Sequence, residues 1–176
     1  SGDGTDSATE RLRITSAATF DFTNGALIEK VAKFGKPMII STGAADFWEV
    51  KKTFDFVIDI NPNVVIMQCT SIYPAKPITI NLNVISTYRD KFPDTVIGYS
   101  GHDSGISIPV ASYALGARFI EKHFTLDRSQ KGTDHQFSLT PELLKELVDE
   151  LENVRLSLGD YEKKLLSEEK LARFKM

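Results

Sequence analysis

Strand-length apolar runs alternate with segments of helical spacing along nearly the whole chain, and this alternation constrains the fold more than any other feature. LRITSA (residues 12–17), MIISTG (38–43), VVIMQCTS (64–71), TVIGYSGH (95–102) and RFIEKHF (118–124) read as strands. Helical patterns lie between them at 23–35, at 46–60, at 81–92 within the segment 75–93, and at 104–116 despite Pro109. In the first of these, Leu27, Ile28, Val31 and Phe34 share one face, and Gly35 stops the helix. The clearest helix is 140–159, with Thr140 as its cap, Pro141 at its first position and Gly159 at its end. The order β-α-β-α-β-α-β-α-β-loop-α predicts a parallel sheet with right-handed crossovers. Strands that are apolar throughout are buried on both faces.

Two α/β architectures fit this order: an open doubly wound sheet and part of a (β/α)8 barrel. No glycine-rich dinucleotide or phosphate-loop fingerprint follows any strand. The strand count falls short of a whole barrel, which takes eight strands and about 250 residues. In both architectures the ligand lies beyond the carboxyl ends of the strands. Those ends are polar here: Ser16, then Ser41 and Thr42, then Cys69, Thr70 and Ser71, then Ser100, Gly101 and His102, and last His123. Serine and threonine also begin ordinary loops. Polar ends on every strand in turn favour a common rim that binds something.

His102 and His123 end consecutive strands. On neighbouring parallel strands, about 4.8 Å apart, two imidazoles can share one divalent metal, or they can simply be hydrogen-bonded strand ends. Alternation places Glu121 on the face of His123 and Lys122 on the opposite one. Glu121 is then a ligand, a partner that orients a histidine, or a general base. A polar loop follows, and Asp134 and His135 stand where a closing loop reaches the rim; His135 reads as a loop contact. Cys69 has no activating base beside it in sequence and reads as packing.

Composition narrows the partners. The 176 residues carry a net charge of −3, which argues against nucleic acid and against an anionic membrane. With a single cysteine no internal disulfide forms, which fits a reducing, cytoplasmic setting. No apolar run reaches the roughly 20 residues that span a bilayer.

KPMIISTG, QCTSIYP, IGYSGHDSGISIPVASYALGA, IEKHFTLD and KGTDHQFSLTPEL resemble, in order, the N-acetylneuraminate (sialic acid) synthase family. The resemblance implies a partial (β/α)8 TIM barrel, about strands four to eight with their helices, over residues 12–159. Residues 1–11, small, polar and acidic, read as a flexible lead or cut edge, and the resemblance makes 160–176 a linker toward an absent antifreeze-like domain. The implied enzyme is a metal-dependent transferase that forms a carbon–carbon bond. It condenses phosphoenolpyruvate with N-acetylmannosamine or its 6-phosphate, releases phosphate and yields a nine-carbon 2-keto acid. Synthases of legionaminic, pseudaminic or spore-coat sugar acids are related alternatives, and a non-catalytic truncated barrel that binds a ligand or a partner chain is another.

Carried onto this sequence, the resemblance makes His102 and His123 the ligands of a manganese or magnesium ion. It places Ser16, Ser41, Ser71 and Ser100 around the phosphate and carboxylate of phosphoenolpyruvate, and Tyr73 and Asp134 against the amino sugar. Glu121 lies beside the metal, and Glu121 and Asp134 are the candidates for proton transfer. Arg13 stands where the family generally has a phosphate-binding lysine, which keeps the charge and changes the geometry. Residues 17–22 look about three residues longer than the family's pattern. The first three strands of the barrel have no counterpart, so the chain is expected to be poorly active alone, and to self-associate or need an N-terminal segment.

Overall fold

The computed structural model of the chain describes residues 13–14 and 25–173. Parallel strands β1 (Arg13–Ile14), β2 (Met38–Ser41), β3 (Val64–Cys69), β4 (Val96–Gly101) and β5 (Phe119–Lys122) form a five-stranded sheet in the order β1-β2-β3-β4-β5. A doubly wound sheet reverses its strand order at a switch point. This sheet never does, because each strand pairs with the next in sequence. Sequential parallel strands with intervening helices make an arc of a (β/α)8 barrel, so the doubly wound alternative falls.

The helices are α1 (Gly25–Ala32), α2 (Phe47–Ile58), α3 (Val84–Lys91), α4 (Ser107–Ala114), α5 (Pro141–Leu158) and a short α6 (Glu169–Arg173). Asp46 caps α2 in a reciprocal box: its carboxylate accepts from Glu49 N, and Glu49 Oε2 accepts from Asp46 N. Thr140 caps α5, with Pro141 in the first turn as expected. Pro109 is tolerated in α4 because it falls in the first turn, where an N–H has no partner within the helix.

Two expectations need correction. On α1, Ile28 and Val31 are buried, but Leu27 and Phe34 are 42% and 65% exposed. The helix ends at Ala32, so Phe34 lies past it, beside Gly35 with a φ of 64°. The helix expected over 81–92 covers only Val84–Lys91. A 3-10 turn at Pro77–Thr79 and a left-handed Asn81 (φ 52°) occupy the chain before it. Ser16 and residues 17–22 lie outside the described residues.

Strand alternation divides the sheet into two faces. One face buries Ile40, Ile66, Ile97 and Tyr99 in a cluster with Ile28, Val50, Val57 and Ile85 of the helices. Fully burying an aliphatic side chain of this kind contributes about 1.5–3 kcal/mol, so this layer accounts for much of the stability. The other face carries cross-strand rows in register. One row is Ser41, Met67, Gly98 and Phe119, and the next is Cys69, Ser100 and Glu121. Among the described residues no helix is long and apolar enough to cross a membrane.

Gly98 is a close-approach position in the first of these rows. A Cβ there would meet Phe119 O at 2.8 Å and Phe119 Cβ at 2.9 Å. Gly98→Ala is therefore expected to cost about 1–3 kcal/mol, the range of core overpacking. Urea unfolding checks this; a midpoint equal to the parent's would show that β4 and β5 separate freely.

Candidate active site

Continuing the parallel register past the last paired row brings His102 and His123 level at the carboxyl ends of β4 and β5. Their ring centroids are 5.2 Å apart in an edge-to-face arrangement. His102 is buried, and His123 is partly exposed. The Nδ1 of His102 lies 2.8 Å from Thr70 O. A carbonyl only accepts, so this contact sets the tautomer with the proton on Nδ1 and the lone pair on Nε2. The chain then turns back: Ala75 N donates to His102 O at 3.0 Å.

Tyr73 covers the pair. Its ring centroid is 4.1 Å from that of His102 and 6.0 Å from that of His123. Phe137, 2% exposed, closes the other side of His123 at 5.1 Å. Asp134 Oδ2 is 3.7 Å from His123 Nδ1, and Asp134 Oδ1 accepts from Thr133 Oγ1. The loop after β5 therefore folds back to the strand-end histidines. His135 is a loop contact, 2.7 Å from Thr125 Oγ1.

One row below the histidines, Ser100 Oγ donates to Glu121 Oε1 at 2.7 Å. Cys69 is in the same row; burial pushes its thiol up, and hydrogen bonds with Ser100 and Ser71 only partly offset this. It is a packed thiol, as read. Ser71 and Thr42 line a cavity of about 490 Å³ with Cys69, Asn81, Thr87 and Tyr88. Ser41 is 3% exposed, and its Oγ has no hydrogen-bond partner among the described residues. A buried hydroxyl without a partner is costly to keep. Arg13 pairs with Ile39 in β1. Its side chain and all of Ser16 lie outside the described residues.

Sequence reasoning did not single out Asp103 or Phe137, and it gave Lys122 no role. Lys122 does face away from His123. Its ammonium is 3.1 Å from Asp103 Oδ1, with the two side chains 3% and 2% exposed, and it also donates to Asp103 O. Tyr99 OH donates to the same Oδ1 at 2.6 Å. Burial lowers the Lys122 pKa against the pull of Asp103. Burial first, then the Asp103 carboxylate, raises the Tyr99 phenol far above its usual range, so it remains an O–H donor. The signal was present: a lysine inside a buried strand needs an acidic partner.

The two histidines fit as ligands of a divalent ion. The tautomer of His102 presents Nε2, and its Nδ1–H bond to a carbonyl is the orienting contact usual for ligating histidines. Among the described residues, no group of three or more His, Cys, Asp or Glu is gathered that would hold an ion.

A sequential parallel arc of this kind, with polar and imidazole groups at its carboxyl rim, is part of a (β/α)8 barrel. The chain belongs to the NeuB family, which it matches over residues 7–163. It is 48% identical over 146 residues to the N-acetylneuraminate-9-phosphate synthase of Homo sapiens, covering 83% of this chain and 41% of that protein. It is 37% identical over 156 residues to the N,N'-diacetyllegionaminic acid synthase of Campylobacter jejuni, covering 87% of this chain and 46% of that one. The crystal structure of N-acetylneuraminic acid (sialic acid) synthetase from Leptospira borgpetersenii in complex with citrate superimposes with a TM-score of 0.83 at 34% identity, covering 94% of this chain and 57% of that chain. The chain thus spans less than half the length of these two curated relatives.

Tyr99→Phe removes one hydrogen bond to a buried carboxylate. The expected loss is about 1.5–3 kcal/mol of unfolding free energy, the range for bonds to charged groups. Chemical denaturation measures it; no loss would mean that the phenol and Asp103 are not bonded in solution.

Proposed function

We propose that this chain is the rim-bearing portion of a synthase that condenses phosphoenolpyruvate with an N-acyl hexosamine. The observation that carries the reading is the histidine pair on adjacent strand ends, with His102 held in the tautomer a metal ligand needs. In the proposed reaction, C3 of phosphoenolpyruvate bonds to the sugar aldehyde carbon. Water adds at C2, phosphate departs with the former enol oxygen, and a 2-keto acid remains.

His102 and His123 would hold the divalent ion, manganese or magnesium. When bound, the ion supplies Lewis-acid polarisation of the aldehyde oxygen. Ser41, Ser71 and Ser100, with Ser16, offer neutral hydroxyls to the phosphate and carboxylate oxygens. The buried Ser41 hydroxyl, without a partner among the described residues, supports this role. Arg13 supplies the positive charge, and Tyr73 lays its ring against the sugar. Asp134, beside His123, and Glu121, held by Ser100, would carry the protons. The N-acetylmannosamine or N-acetylmannosamine 6-phosphate reading draws on the 48% relative, and the legionaminic or pseudaminic reading on the more distant ones. A cytoplasmic setting fits phosphorylated substrates and a single buried cysteine.

A second reading has an observation of its own. In the described sheet β1 and β5 each pair on one side only, and such edges recruit other strands. Residues 12–159 would then be an incomplete barrel that works only when three further strands are supplied, in the same chain or another, and residues 160–176 a linker.

Phosphate release from phosphoenolpyruvate with Mn²⁺ and a panel of N-acyl hexosamines tests the reaction. It is run on this chain and on the chain joined to the first three barrel strands of a NeuB-family relative. Turnover is expected only from the joined form; none in either form would sink the synthase reading. In calorimetric titration of the chain with Mn²⁺, His102→Ala is expected to abolish binding, and an unchanged isotherm would remove His102 from the metal site. In the joined form Arg13→Ala is expected to weaken phosphoenolpyruvate binding about tenfold or more, since charge-assisted bonds contribute about 1.5–3 kcal/mol. An overlaid binding curve would assign Arg13 elsewhere.

A further inference from the structure

Asp103 immediately follows His102, and Lys122 immediately precedes His123. The contact between them lies on the helix-facing side of the sheet, behind the rim. Lys122 pairs in register with Gly101, which has no side chain to obstruct it. A Cβ at position 101 would lie 2.6 Å from Asp103 Oδ1 and 2.6 Å from Tyr99 Cε1. The lysine therefore reaches across the vacant place to the next residue along β4. There it engages both the carboxylate and the backbone carbonyl of Asp103, while Tyr99 holds the carboxylate from below. The residue after one histidine is thus bound to the residue before the other.

We propose that Lys122, acting through Asp103, is a positioning residue that fixes the separation and orientation of His102 and His123. A buried ion pair is a poor source of stability, because desolvation offsets most of the attraction, and apolar groups of similar volume often do as well or better. What such a pair supplies is a preferred geometry. The ammonium holds the backbone at Asp103 against β5, and backbone position at 103 sets where the adjoining imidazole points. The β4–β5 ladder ends at Gly101 and Lys122; beyond it His102 is held by Thr70 O and Ala75 N and His123 by Leu139 N, contacts that do not tie one histidine to the other's strand. The consequence for metal affinity rests on the reading given under Proposed function; the effect on ring geometry does not.

The test uses the chain labelled with ¹⁵N-histidine and a variant that replaces the buried polar cluster with apolar groups of similar shape, Tyr99→Phe/Asp103→Leu/Lys122→Met. Long-range ¹H–¹⁵N spectra report the tautomer and environment of each ring, thermal unfolding reports stability, and Mn²⁺ titration followed by electron paramagnetic resonance reports affinity. The expected result is a folded variant of near-parental stability whose His102 and His123 ring signals shift and broaden, and whose Mn²⁺ affinity falls about tenfold or more, as for lost orienting partners of metal ligands. A second variant, Lys122→Met/Asp103→Asn, keeps the Tyr99 bond and removes both charges; it is expected to move the same ring signals. Ring signals that superimpose on the parent's in either folded variant would overturn the proposal. If neither variant folds, the pair is a structural element and the proposal also fails. If the parent chain itself binds no Mn²⁺, the metal reading falls, and the ring signals alone decide whether Lys122 positions the histidines.

Discussion

The parallel register between β4 and β5 is the constraint on which the site depends. It pairs Ser100 with Glu121 and Gly101 with Lys122. Because alternation is strict, one register places Ser100, Glu121 and both histidines on the barrel side, and Tyr99 and Lys122 on the helix side. A slip of one residue would bury Glu121 against the helices and turn Lys122 to the rim. Two contacts oppose such a slip. Ser100 bonds Glu121 on one face, and Lys122 bonds Asp103 on the other.

The remaining strands use the same logic with less polar chemistry. Their helix-facing rows are aliphatic up to the row of Gln68 and Tyr99, and the barrel-facing rows change from Met67 and Gly98 to Cys69 and Ser100 toward the carboxyl end. Depth along the strand therefore sets the environment: apolar packing below, hydroxyl and imidazole groups above. Ser41 departs from this gradient: it is level with Met67 and Gly98, yet it carries a buried hydroxyl with no partner among the described residues. Neutral donors of this kind suit an anionic substrate, since they bind oxygen without adding charge that must be desolvated.

Strand and helix order was legible because period-two and period-3.6 patterns are local. The polar rim was legible because parallel α/β folds place ligands at one end of the strands. The periodic patterns do not encode which strands are neighbours; the family resemblance carried by blocks such as IEKHFTLD supplied the choice of a barrel arc over a doubly wound sheet, and the sequential strand order bears it out. The short α3 was misread because Asn81 adopts a left-handed conformation that its apolar neighbours conceal. Asp103 was overlooked because it follows His102 in a motif that draws attention to the histidine, although its partner Lys122 was conspicuous as a lysine within a buried strand. Phe137 was overlooked because its place beside His123 depends on how the loop after β5 folds back.

The central claim is that the strand-end histidines and the serine rim form one ligand site. Crystals of the chain grown with Mn²⁺ and phosphoenolpyruvate test it most directly, through anomalous scattering from manganese. The account predicts one strong anomalous peak within bonding distance, about 2–2.3 Å, of ring nitrogens of both His102 and His123, with phosphate or carboxylate density reaching Ser41. Manganese bound elsewhere, or a fully occupied phosphoenolpyruvate away from the carboxyl ends of the strands, would contradict it.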